Sequence, residues 1–150
     1  MERGLLSTFV REDIKKGEYL RALLEASADL EHLFFMKLLF EKCIKSNLME
    51  GWTLGKYIDW VSKMGLLDKK YEQLLKDFNK IRNYVVHERY VMKNINSDLA
   101  KLSFLANLII SVCDFIDSYE VQYTYNREIE NEYSNFMEKM TKRYENIFSK

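Results

Sequence analysis

Apolar residues return along this chain at helical spacing, three or four positions apart, and the pattern predicts a series of helices with one buried stripe each. Leu5, Leu6, Phe9, Val10 and Ile14 outline a short leading helix that pauses at Gly17. From residue 18 to about 45 the period runs through Leu20, Leu23, Leu24, Leu30, Phe34, Leu38 and Ile44, and between Leu33 and Phe40 almost every residue except Lys37 is apolar. A helix that is apolar on all sides is covered on several sides, so this one is expected at the centre of a bundle. Glu31 and His32 stand just before that section. They are expected either to point to the rim or, for Glu31 or Glu25, to reach a cationic residue of a later helix, because a buried carboxylate needs a partner.

Residues 46–51 are turn-like, and Thr53 offers a cap for a short helix from 54 to about 64, closed by Gly65. Trp52, Ile58, Trp60, Val61 and Leu66 are expected to pack into the core there. Asp68 can cap the next helix, in which Tyr71, Leu74, Leu75, Phe78, Ile81 and Val85 mark the buried stripe. After an asparagine-rich turn at 91–97, Ser97 caps a helix predicted over 98–119. A tyrosine-rich connection then leads to a last helix over 127–148. Its Ile129, Tyr133, Phe136, Met140, Tyr144 and Ile147 form a near-heptad seam that calls for a partner helix, in the bundle or on another subunit. The expected architecture is all-α: one domain over 1–150, a mostly antiparallel bundle of about five helices.

Composition supports that class. The chain has no proline and five glycines, the last at Gly65, so an all-β fold with many tight turns is excluded. Its 150 residues suffice for one real core. Cys43 and Cys113 lie far apart in apolar surroundings and are expected as buried thiols in a reducing cytoplasm. The early charges Arg11, Glu12 and Asp13 break the first apolar run, unlike a signal peptide, and no apolar run approaches the ~20 residues that a membrane span needs. His32 and His87 are too far apart in sequence to suggest a metal motif, no Walker loop, GxGxxG or GxSxG occurs, and no cofactor is expected.

Net charge is zero overall, yet residues 63–93 carry eight basic against four acidic side chains, a local +4. Within that bias lies Lys80-Ile81-Arg82-Asn83-Tyr84-Val85-Val86-His87-Glu88-Arg89, where the chain concentrates chemistry. Asn83 and His87 are four apart and share a helix face, whereas Arg82 sits ~140° from His87 unless its long side chain bends back. A site using both is more easily built where two such helices meet across a two-fold axis, so a homodimer is expected. The plainer alternative pairs Arg82 with an acidic neighbour and leaves His87 near the helix C-terminus, where a cation is favoured.

Arg82-Asn83-x-x-x-His87 resembles the Arg-polar-x-x-x-His signature of the HEPN superfamily, compact helical domains many of which are metal-independent endoribonucleases that act as dimers. The order of helices fits over about 18–119 and leaves the helix at 127–148 outside the resemblance. It implies that Arg82 holds the scissile phosphate, that Asn83 orients phosphate or imidazole, and that His87 moves the 2′-hydroxyl proton, with Lys80 and Arg89 as RNA contacts. Some toxin members carry tyrosine two residues after the histidine, where this chain has Arg89 and the tyrosine follows at Tyr90. The implied partners are RNA, a second copy and an antitoxin or nucleotidyltransferase; the alternatives are a non-catalytic helical dimer or adaptor, or a nucleotide-binding module.

Overall fold

Six α-helices and one 3-10 turn make up the regular structure in a computed structural model that describes residues 3–87, 99–122 and 126–148. No strand occurs among them. The helices are α1 (Arg3–Lys15), α2 (Tyr19–Lys42), α3 (Leu54–Lys63), α4 (Lys69–His87), α5 (Leu99–Ser118) and α6 (Arg127–Phe148), with the 3-10 turn at Ser46–Met49. The all-α bundle expected from the periodicity is what forms. Among the described residues no helix is long and apolar enough to cross a membrane.

The centre is α2, as its all-round apolar section requires. It packs against α1, α3, α4, α5 and α6, and its residues from Leu30 to Met36 are buried without interruption. Phe34 meets α5 and the residue after it: its ring lies 6.1 Å from that of Phe115 and 5.5 Å, edge-on, from that of Tyr119. Burying side chains of this size contributes about 1.5–3 kcal/mol each. The chain leaves α2 through Cys43, a non-glycine residue with φ +55°. Its N–H reaches the Leu39 carbonyl at 3.1 Å and the Ile44 N–H reaches that of Leu38 at 3.1 Å, the Schellman pattern that satisfies the last carbonyls of a helix. That exit turns Cys43 into solvent, against the expected burial. Cys113 is buried as expected, and loss of water pushes its thiol up to about 12.

Thr53 caps α3 as predicted, its hydroxyl accepting from the Lys56 N–H at 3.3 Å. Two residues on, Gly55 explains how α3 can lie so close to α4: a Cβ there would come within 2.9 Å of Asn79 Nδ2. This close approach sets the position of α4 one turn before Arg82. Leu75, Phe78 and Val85 form its buried stripe, while Tyr71, Leu74 and Ile81 are half-buried. Ile58 and Val61 enter the core, but Trp60 lies at the surface with Trp52 stacked against it at 5.4 Å. The expected turn at 91–97 and the Ser97 cap lie outside the described residues.

The seam of α6 has its partner within the bundle. Ile129, Tyr133 and Phe136 pack on α2, with the Phe35 and Phe136 rings stacked 3.6 Å apart and His32 Nε2 sharing a 2.7 Å hydrogen bond with the Tyr133 hydroxyl. One of the two sequence arguments for a homodimer therefore has another explanation.

Candidate functional site

Arg82 and Asn83 are both half-buried in the last turns of α4. The guanidinium bends: Arg82 Nη1 donates to Asn83 Oδ1 at 3.1 Å. It therefore lies toward the helix face that Asn83 shares with position 87. Arg82 Nε is covered from solvent and makes no hydrogen bond, and no carboxylate among the described residues forms an ion pair with this side chain. The expected alternative of an acidic neighbour on Arg82 is thus not found there. His87 is the last residue of α4, and its side chain lies outside the described residues, as does the whole of Arg89. Lys80 is exposed. Tyr84, next to Asn83, is 59% exposed.

Glu31 and His32 do not point to the rim. They are 2% and 4% exposed. Burial lowers the His32 pKa to about 4, so the ring is neutral at physiological pH and its bond to Tyr133 needs no charge. Of the two histidines, His32 is thereby unsuited to proton transfer near neutrality. Glu25 does not reach α4 either; its cation is Arg21, 3.3 Å away on the same helix.

Glu25 belongs instead to a group of carboxyls where α1 meets α2. Burial pushes it up to about 7, helped by the nearby Asp13 carboxyl and opposed by Arg21. Asp29 is likewise pushed up to about 7, by burial first and then by the charge of Glu25. Asp13 Oδ2, Glu25 Oε2 and Asp29 Oδ2 are all covered and unbonded. A carboxyl whose folded pKa exceeds its unfolded value of ~4 keeps its proton longer when folded. The stability it gives is complete below pH ~4 and is lost as pH rises through about 7. Asp29→Asn, which cannot ionise, should therefore stabilise the protein at pH 8 by on the order of 2 kcal/mol and change little at pH 4. Equal shifts in melting temperature at both pH values would show that titration is not the cause.

An apolar concavity lies on another side of α2, between it, the 3-10 turn, the start of α3 and α6. It is a cavity of about 310 Å³ walled by Met49, Trp52, Tyr57, Phe136 and Met140, with Glu31 also lining it. Sequence reasoning missed this grouping because its walls come from four separate segments with no shared motif. The one local signal was Glu31 itself, a carboxylate next to an all-apolar run. Among the described residues no group of three or more His, Cys, Asp or Glu side chains could hold a metal ion.

Comparison of the chain with protein-family models, with curated proteins and with solved structures finds no match in any of the three. The functional reading rests on the chemistry of the site.

Proposed function

We propose that the protein is a metal-independent endoribonuclease of HEPN type, acting in the cytoplasm as a toxin or defence enzyme. Arg82, Asn83 and His87 form its reacting set. The observation that carries this reading is the state of Arg82, a half-buried guanidinium held by Asn83, with a covered Nε and no carboxylate partner among the described residues. A cation partly withdrawn from water gains from an anion, and the planar fork of arginine matches two oxygens of a phosphate.

RNA supplies the nucleophile. An imidazole with the unperturbed pKa of ~6.5 can accept the proton of the 2′-hydroxyl at physiological pH, and this is the role given to His87. The oxygen attacks the adjacent phosphorus, the 5′-oxygen of the next nucleotide leaves with a proton, and a 2′,3′-cyclic phosphate remains. Arg82 neutralises charge developing on the non-bridging oxygens, and Asn83 fixes the guanidinium that does so. The excess of basic residues over 63–93, with Lys80 exposed among them, gives a strand a favourable approach. In this reading a second copy apposes its α4 beside Tyr84 and contributes the second histidine. An antitoxin or nucleotidyltransferase partner belongs to the same reading.

The test is incubation of the purified chain with RNA and DNA, with and without chelator. RNA should be cut, DNA spared, the rate unaffected by chelator, and the new ends should be 2′,3′-cyclic phosphates. A requirement for divalent ion rejects the mechanism. Failure to cut any of several structured and unstructured RNAs favours a non-catalytic helical adaptor instead.

A further inference from the structure

We propose that the seam between α1 and α2 is a proton-operated latch: α1 stays docked while the carboxyls of Asp13, Glu25 and Asp29 hold protons, and swings out about Gly17 when they ionise. The device is independent of any RNA chemistry at Arg82. Asp13 comes from α1, and Glu25 and Asp29 stand one turn apart on α2. Asp13 is 9% exposed, and one oxygen of each of the three carboxyls is covered from solvent without a hydrogen bond. A charge there lacks water and has like charges beside it, so the neutral form is the one that fits.

Among the described residues the cation beside the cluster is Arg21 of α2, 3.3 Å from Glu25 and also 3.9 Å from Glu18, with a side chain 60% exposed. One turn beyond Asp29, His32 has its pKa lowered to about 4 and adds no charge. On α1 the Arg11 guanidinium is engaged by Asp114 and Asp117 of α5 at 2.7 and 3.1 Å, while Glu12, Lys15 and Lys16 are exposed. Cys113 of α5 feels the charge of Asp29 but keeps its proton, its thiol being pushed up to about 12. Burial first, and then neighbouring carboxyls, raise Glu25 and Asp29 to about 7, and release of α1 returns them toward the ordinary ~4. Docking therefore takes up protons: it is strongest below pH ~4, weakens as pH rises to about 7, and is level above that. The fold lets α1 move alone. Its packing is chiefly on α2 and α5, which also pack on each other and on α4. The link to α2 is a turn at Gly17, φ +77°, and α2 starts after Glu18 without a side-chain cap.

Hydrogen exchange of the full chain, read segment by segment and corrected for the intrinsic rate at each pH, tests this. Protection of the α1 amides should fall about tenfold or more between pH ~5 and pH ~8, while that of α4 and α5 stays level. The double variant Glu25→Gln with Asp29→Asn, in which neither position can ionise, should keep α1 protection flat over the same range. Level α1 protection in the wild type, an equal loss in α4 and α5, or an unchanged pH slope in the double variant overturns the proposal. Should the double variant fail to fold, Glu25→Gln alone decides: a reduced slope supports the latch and an unchanged one overturns it.

Discussion

His87→Ala should lower RNA cleavage by ~100-fold to 10,000-fold, the range that a positioned acid–base group contributes. The bundle should survive the change, because position 87 is the last residue of α4 and the buried stripe of that helix is carried by Leu75, Phe78 and Val85. The other histidine offers no substitute: His32 is buried against Tyr133 with its pKa lowered to about 4. Arg82→Lys keeps the charge but loses the fork and the covered Nε, and should cost about 100-fold. Lys80→Ala touches only an exposed contact, so its effect should fall mainly on KM and weaken with added salt. The measurement is single-turnover cleavage of one labelled RNA by the three variants at equal concentration, with melting temperatures recorded alongside. Undiminished cleavage by His87→Ala would assign the activity to another residue and end the proposed mechanism.

How much of this was legible in the sequence differs between fold and site, for a physical reason. Helix positions follow from a local period, and the limits of α3 and α6 fall within a residue or two of those expected because Thr53, Gly65 and the Ile129–Phe136 spacing act within a turn. Tertiary choices were not local. Cys43 looked apolar by its neighbours, yet the reversal after α2 needed a left-handed residue and carried the thiol into solvent. The heptad of α6 showed that a partner existed and could not show that it was α2. For the site, the residue types and spacing of Arg82, Asn83 and His87 were visible, while the bend that brings the guanidinium to Asn83 is a rotamer choice set by packing. The burial of Glu31 and His32 was hidden for the opposite reason. Polar residues are mostly exposed, and for His32 it is the arrival of α6, with Tyr133 as its partner, that offsets the cost of burial.

Phe34→Ala should be the most damaging single change to stability, costing about 3–5 kcal/mol. The side chain is fully buried on α2 and its ring lies beside Phe115 and Tyr119, so truncation opens a hole among rings that other helices hold in place. Phe136→Ala offers the comparison. Its ring also stacks on α2, against Phe35, but it is half-buried beside an existing cavity, where solvent and neighbouring side chains can fill the gap. Its cost should be smaller, about 1–3 kcal/mol, because the penalty grows with the residual cavity that cannot collapse. Denaturant melts of both variants, with the slope checked against wild type, give the two values. Equal losses would mean that α6 is as integral to the core as α5. If Phe34→Ala cost under about 1 kcal/mol, α2 would not be the centre on which the other helices close.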